Sequence, residues 1–124
     1  MNSEHYRQVV NDYVRCMSAG DWRGVVALYA DNATVEDPVG SEAIRGIEAI
    51  AAFYQGTTAS GVRLELAGPV RVAGGEAAFP FSAHLVWEGK PVRIDAIDVF
   101  KFDHQGKIAS MRAYFGPENF VPAS

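Results

Sequence analysis

The stretch that decides the fold is Arg93-Ile94-Asp95-Ala96-Ile97-Asp98-Val99-Phe100-Lys101-Phe102. Side chains alternate between the two faces of a β-strand, so one face of this segment carries Ile94, Ala96, Asp98, Phe100 and Phe102. The opposite face carries the more polar set Asp95, Ile97, Val99, Lys101 and Asp103. The period therefore predicts a strand with one apolar face, and it places the carboxyl group of Asp98 on that face.

A carboxyl group on a buried face needs an explanation. Burying an ionised carboxylate without a partner is costly, so such a group usually stays protonated and can donate a hydrogen bond at neutral pH. A register slip, a bulge or a neighbouring arginine would instead leave Asp98 paired and purely structural. The sequence leaves both explanations open at this point.

The segments before this strand have helical spacing. Apolar residues from Tyr6 to Met17 recur every three or four positions, which predicts a first helix with Ser3 as its N-cap and Gly20 as its stop. A second helix is predicted from the cap Asp21 through Tyr29, and it is followed by a brief strand over residues 34–36. A third helix is predicted from Ile47 through Tyr54, ending in the glycine-containing region of residues 56–61.

The rest of the chain has the composition of short and long strands separated by turns, as at Gly74-Gly75 and Glu88-Gly89. Helices first and a meander of strands afterwards predict an α+β domain over residues 1–124. In this fold three helices pack on one face of a strongly curved antiparallel sheet, which forms a cone with a deep apolar pocket. Pro80 lacks a backbone donor, so we expect it at a sheet edge or a bulge.

The bulk properties exclude several classes of protein. The net charge is −4 over 124 residues and there is no Lys/Arg cluster, so nucleic acid and anionic membranes are not expected partners. Cys16 is the only cysteine, which fits a reducing compartment. No apolar run approaches the length of a membrane span, and the N-terminal residues lack the layout of a signal peptide. We therefore expect a cytoplasmic protein.

Three polar side chains are candidates for chemistry. A helix that covers the concave sheet face would bring Tyr13, from the buried stripe of the first helix, close to Asp98. A phenol and a protonated carboxyl can both donate to one ligand oxygen, which is what an oxyanion hole requires. Asp37, at a strand end with more water, can stay ionised and accept a proton. This set fits proton abstraction next to a carbonyl group.

These residues resemble a known family, the Δ5-3-ketosteroid isomerases of the nuclear transport factor 2-like group. The resemblance is densest over Ala33-Thr34-Val35-Glu36-Asp37-Pro38-Val39-Gly40-Ser41-Glu42, and it extends to Tyr13-Val14, Ile97-Asp98 and Ser110-Met111-Arg112-Ala113. It implies that Asp37 moves a proton between two steroid carbons, while Tyr13 and a neutral Asp98 bind the dienolate oxygen. The reaction would need no cofactor.

The resemblance also implies roles for other residues. Tyr29 and Tyr54 would support the phenol of Tyr13, although buried tyrosines usually need only some partner for the hydroxyl group. Steroid contacts would come from apolar residues that otherwise look like plain core: Met17, Phe53, Phe81, Met111 and Phe115. A steroid substrate and a homodimer are further expectations. The three histidines match no metal-ligand spacing, so no metal site is expected.

Two other functions remain open from the sequence. One is a related cone-fold enzyme of the polyketide cyclase, dehydratase or epoxide hydrolase type, which would generally use a His/Asp pair or an Asp/Arg/Asp set. The other is a protein that binds an apolar small molecule without reacting it. A pure binder has no reason to bury an unpaired acid, so the protonation state of Asp98 distinguishes a pure binder from an enzyme.

Overall fold

The structure is a computed structural model that describes residues 2–123. The helices are α1 (Ser3–Ser18), α2 (Trp22–Val26) and α3 (Ile47–Ala59), and a 3₁₀ turn covers Pro117–Asn119. The strands are β1 (Tyr29–Glu36), β2 (Ile44–Arg45), β3 (Arg63–Leu66), β4 (Arg71–Ala73), β5 (Glu76–Trp87), β6 (Lys90–Phe102), β7 (Ile108–Tyr114) and β8 (Phe120–Pro122).

Helix α1 forms where the apolar spacing predicted it, and its buried stripe faces the sheet. The N-cap is Asn2 and not Ser3, because the Asn2 side chain accepts a hydrogen bond from the backbone N–H of His5 at 3.0 Å. Ser3 is the first helical residue. The helix stops before Gly20, whose φ of 72° is a conformation that glycine adopts without strain.

The second helix is shorter than predicted. Asp21 does cap α2, but the helix ends at Val26 and Tyr29 begins strand β1. The carbonyl of Leu28 accepts a hydrogen bond from the N–H of Ile108 at 2.9 Å, so pairing with β7 draws this segment out of the helix. Tertiary pairing thus overrides a local pattern that is compatible with either structure.

The third helix is longer than predicted, because it continues through Gly56 to Ala59. Thr57 and Thr58 each donate a side-chain hydrogen bond to the carbonyl four residues earlier, at 2.9 and 2.8 Å. Gly61, with a φ of 77°, then turns the chain into β3. The last turn of α3 consequently lies next to the start of β3.

The sheet is curved and unclosed, with the strand order β2-β1-β7-β6-β5-β3; β4 pairs with β5 and β8 with β6. The helices pack on its concave face, which confirms the predicted α+β cone. The long strands pair antiparallel as predicted, but β1 and β7 run parallel, so the sheet is mixed. More than seventy residues separate these two strands, so no hairpin dictates their direction.

Strand β6 has the predicted alternation over its second half. Ala96, Asp98, Phe100 and Phe102 are buried, whereas Ile97 and Lys101 are exposed. The ring of Phe100 lies 5.1 Å from that of Tyr13 and 5.0 Å from that of Phe79, both in edge-to-face geometry. The core therefore surrounds the position of Asp98.

Pro80 lies in an interior strand, not at an edge or a bulge. It is opposite Ile97 of β6 in an unbroken register. On its other side the neighbouring strand changes, because β3 pairs with residues 81–84 and β4 with residues 76–78. The missing donor of Pro80 faces this gap, where its carbonyl accepts the N–H of Ala67 at 2.9 Å. Proline needs a position where no neighbouring strand requires its missing N–H, and this gap provides one just as a sheet edge would.

Candidate active site

A cavity of about 210 Å³ opens between the helices and the concave face of the sheet. Its walls come from α1, α3, β3, β5, β6 and β7, and they are mainly apolar. Tyr13, Asp37 and Asp98 all line it. The three residues that the sequence marks as candidates for chemistry thus line one cavity, although they come from different elements.

Asp98 is only 1% exposed and lies between two strands. Its neighbours across the sheet are Phe79 of β5 and Ala113 of β7, neither of which offers a polar side chain. Within residues 2–123, Oδ1 of Asp98 has no hydrogen-bond partner. Burial, and after it the charge of Asp37, raises the pKa of Asp98 well above 3.8. The cavity therefore favours the protonated carboxyl, which has a donor to offer a ligand.

Tyr13 is placed by the buried face of α1 and belongs to a chain of three phenols. Its hydroxyl oxygen is 3.3 Å from that of Tyr54, and the Tyr54 hydroxyl oxygen is 2.5 Å from that of Tyr29. If Tyr29 donates to Tyr54 and Tyr54 donates to Tyr13, the proton of Tyr13 is free to point into the cavity. Burial, followed by the negative charge that Asp98 would carry, raises the pKa of Tyr13.

Asp37 directly follows β1, and the alternation of that strand turns it to the same face as the buried Val35. The segment is fixed on both sides. Arg112 of β7 donates to Glu36 at 3.3 Å, and the N–H of Val39 donates to the carbonyl of Ala113 at 2.8 Å. Burial raises the pKa of Asp37 from 3.8 to about 6. Asp37 is thus less solvated than we expected, yet it is mostly ionised at pH 7.

Four of the five predicted apolar contact residues line the cavity: Met17, Phe53, Phe81 and Phe115. The fifth, Met111, does not reach it, since it is buried opposite Phe100 and Val35. Sequence reasoning missed the small residues Ala96 and Ala113, which line the cavity beside Asp98. Two features of the sequence could have identified them: both occupy inward-facing positions of their strands, and both are small.

Sequence reasoning also missed a polar part of the wall, formed by Thr57 and Ser60 near the C-terminus of α3. Phe53, Thr57 and Ser60 are spaced four and three residues apart, so they project from one helix face. Recognising them required knowing that the helix continues through Gly56 and which of its faces covers the cavity.

The histidines lie apart from this site. His5 contacts the carbonyl of Gly106 at 3.0 Å, and His84 pairs with Glu65 at 3.2 Å. In the part of the chain that the structure describes, no group of three or more His, Cys, Asp or Glu residues is arranged to hold a metal ion. The described helices also include none that is long and apolar enough to cross a membrane.

Comparison with known proteins identifies the class. The model of a family described as the SnoaL-like domain matches residues 10–111. The chain therefore belongs to the SnoaL-like domain family, within the nuclear transport factor 2-like superfamily.

Individual relatives narrow the comparison. A steroid Delta-isomerase from Nocardioides simplex is 37% identical over 119 residues, which is 96% of this chain and 96% of the relative. This match confirms the resemblance to steroid isomerases. A solved structure of SalBIII, an epoxide hydrolase/cyclase-like enzyme with a role in pyran ring formation in the polyether salinomycin, has a TM-score of 0.91 and 28% identity. It covers 99% of this chain and 100% of its own.

Proposed function

We propose that the protein is a steroid Δ-isomerase, which converts 3-oxo-Δ5-steroids into their conjugated 3-oxo-Δ4 isomers. The observation that carries the proposal is the buried Asp98, whose Oδ1 has no partner within the described residues and which lines the same apolar cavity as Tyr13 and Asp37. The steroid Delta-isomerase relative at 37% identity supports the same reaction.

The proposed reaction is an intramolecular proton transfer. Asp37 removes a proton from C4 of the steroid, and the electron pair moves through the C3 carbonyl to give a dienolate. Tyr13 and the protonated Asp98 donate hydrogen bonds to the dienolate oxygen. Asp37 then returns the proton to C6, so the double bond moves from C5–C6 to C4–C5. No electrons are gained or lost, and the proton that Asp37 takes from C4 is the one it returns to C6, so the reaction needs no net proton from the protein or the solvent.

The environments of the two carboxyl groups suit opposite tasks. Asp37 has a pKa of about 6, which makes it a competent base that is ionised at neutral pH. Asp98 is held neutral by burial, so it can donate where negative charge develops. A positioned base contributes roughly 10² to 10⁴ in rate, and an oxyanion donor contributes roughly 10² to 10³. Enzyme-level acceleration therefore needs the full set.

The test follows the rise of conjugated enone absorbance with androst-5-ene-3,17-dione. We expect turnover by the wild-type protein, and losses of roughly 10² to 10⁴ in Asp37→Asn and roughly 10² to 10³ in Asp98→Leu. Asp95→Asn is a matched control, because Asp95 lies on the same strand but on the outer face, where it pairs with Arg93 at 2.9 Å. No turnover by the wild type, or an unchanged rate in Asp37→Asn, would reject the proposal.

A second candidate is ring closure by opening of an epoxide. The solved epoxide hydrolase/cyclase-like neighbour favours it, together with the presence of one acidic and one basic carboxyl group in the cavity. Asp98 would protonate the epoxide oxygen while Asp37 takes the proton of an attacking hydroxyl group. Chromatography of an epoxy-alcohol before and after incubation tests this function. We rank it second, because the cavity wall formed by residues 2–123 includes no Arg or His.

A homodimer is part of the proposal. The outer face of the sheet exposes 47% of Ile97 and 43% of Tyr114, which are large apolar surfaces for an exposed strand face. Asp95, beside them, is neutralised by Arg93 and accepts a hydrogen bond from Ser82. Sedimentation equilibrium tests this expectation, since a mass near the 13.4 kDa of one chain would reject it.

A further inference from the structure

The cavity has a second polar end, far from Asp98. Strand β5 gives the scale, because Phe79 is opposite Asp98 while Ala83, four residues further along, is opposite Leu64 of β3. At about 3.3 Å per residue these positions are roughly 13 Å apart along the strand. Ser60 and Thr57 precede β3 in the chain and line the cavity together with Leu64 and Val62. They therefore lie toward the end opposite the reacting groups.

The helix side gives the same order. Tyr54, whose hydroxyl contacts that of Tyr13, lies six residues before Ser60 on α3. Six residues at 1.5 Å correspond to roughly 9 Å along the helix axis. Helical side chains lean toward the N-terminus, which moves the phenol of Tyr54 further from Ser60. A ligand oxygen held by Tyr13 and Asp98 therefore leaves the rest of the molecule pointing toward Thr57 and Ser60.

Both hydroxyl groups at this end have already used their protons. Thr57 Oγ1 donates to the carbonyl of Phe53 at 2.9 Å, and Ser60 Oγ donates to the carbonyl of Thr57 at 2.6 Å. Each hydroxyl group has one proton and two lone pairs. These side chains can therefore accept a hydrogen bond from a ligand without breaking an existing bond, whereas donating to a ligand would break one.

We propose that Thr57 and Ser60 form a hydrogen-bond-accepting subsite that selects steroids with a hydroxyl group, in place of an oxo group, at the end remote from the 3-oxo group. This inference rests on the proposed isomerase function and deepens it. A remote hydroxyl group adds one hydrogen bond to the complex. A remote oxo group has no proton to donate, so it can bind Thr57 or Ser60 only if that side chain gives up the hydrogen bond it donates to a backbone carbonyl. Thr57 is the stronger partner, because it is half-buried whereas Ser60 is exposed to water.

The experiment compares 17β-hydroxyandrost-5-en-3-one with androst-5-ene-3,17-dione. The measured quantity is the ratio of their kcat/KM values, so that changes affecting both substrates cancel. We expect the ratio of hydroxy to oxo substrate to fall about 2- to 10-fold in Thr57→Val, the range that one neutral hydrogen bond supports, and further in Thr57→Val/Ser60→Ala. Ser60→Ala alone tests the same idea at an exposed position where folding is not at risk.

Thr58→Val is the matched control. Thr58 Oγ1 makes the same type of bond, to the carbonyl of Tyr54 at 2.8 Å, but Thr58 does not line the cavity. We expect it to leave the ratio unchanged. An unchanged ratio in Thr57→Val and in the double variant, a ratio that rises, or an equal fall in Thr58→Val would each overturn the inference.

A binding measurement separates this inference from the proposed reaction. Equilenin and 17β-dihydroequilenin are phenolic steroids that differ only in the remote oxygen, and their fluorescence reports binding without turnover. The subsite predicts that the Kd advantage of the hydroxy compound shrinks in Thr57→Val. If the protein does not isomerise the substrate but the Kd advantage still shrinks in Thr57→Val, the proposed reaction is rejected and the subsite is kept. If isomerisation is normal but the Kd advantage is unchanged in Thr57→Val, the subsite is rejected and the proposed reaction is kept.

Discussion

The buried proton of Asp98 makes a quantitative prediction about stability. On unfolding, the carboxyl group enters water and regains a pKa near 3.8, whereas burial raises its pKa well above that value in the folded protein. Between the two pKa values, unfolding releases one proton, so the free energy of unfolding falls as the pH rises. The slope for one proton is about 1.4 kcal/mol per pH unit. The contribution of the neutral Asp98 carboxyl to stability is complete below the pKa of the unfolded state. It disappears as the pH rises to the pKa of the folded state.

The perturbation is Asp98→Asn, which preserves the shape of the side chain and a donor but cannot ionise. The proposed oxyanion contact requires Asp98 to stay protonated through neutral pH. The free energy of unfolding of the wild type should then fall by about 2.7 kcal/mol relative to Asp98→Asn between pH 5 and pH 7. Asp37 titrates in both proteins, so its contribution cancels in this difference.

Urea unfolding at pH 5, 6 and 7, followed by circular dichroism at one protein concentration, measures the difference. Asp95→Asn is the control. Hydrogen bonds from Arg93 and Ser82 lower the pKa of Asp95, so its stabilising effect is lost only as the pH falls below the usual range of the carboxyl group. The Asp95→Asn difference should therefore be flat from pH 5 to 7. Parallel curves for the wild type and Asp98→Asn would refute the argument that burial keeps Asp98 neutral.

Three further predictions follow from the same geometry. Because the pKa of Asp37 is about 6, kcat/KM should rise about tenfold from pH 5 to pH 7 and then level off, as a pH-rate profile with a non-ionising substrate would show. A flat profile would exclude Asp37 as the base. Tyr54→Phe removes the bonds to Tyr13 and Tyr29 and should lower kcat by about tenfold, less than Tyr13→Phe in parallel assays, since it acts through Tyr13. Phe100→Ala should lower the free energy of unfolding by about 3 to 5 kcal/mol in a denaturant titration. A loss below about 1 kcal/mol would mean that the ring of Phe100 is not tightly packed against Tyr13 and Phe79.

The sequence predicted those features that depend on a single period or a single resemblance. The two-residue period of β6 was enough to place Asp98 among buried groups, and the resemblance around Asp37 implied a base to act beside it. Tyr29 was assigned to the wrong element because residues 25–29 fit helical spacing, while the pairing of Leu28 with Ile108 is a contact across eighty residues. Local patterns carry no information about such a contact.

The sequence also could not predict how deep a residue lies inside the fold. Met111 and Ala113 have the same parity on β7, yet Ala113 lines the cavity and Met111 lies in the core. Parity gives the face of a strand, but the position along it that meets the cavity depends on sheet curvature. The polar end at Thr57 was missed for a related reason, since it depends on the continuation of α3 through Gly56 and on which face of that helix covers the cavity.

The architecture explains how one fold can support related chemistries. The curved sheet directs alternate residues of β5, β6 and β7 into an apolar cavity, so a polar side chain at any of these positions loses water and its pKa changes. Asp98 occupies such a position between Phe79 and Ala113, whereas Asp37 enters from a strand end and is perturbed less. The reaction is thus set by which inward positions carry polar groups. In the proposed subsite the last turn of α3 sets substrate choice separately, so changing Thr57 should alter substrate preference without altering the chemistry at Asp98.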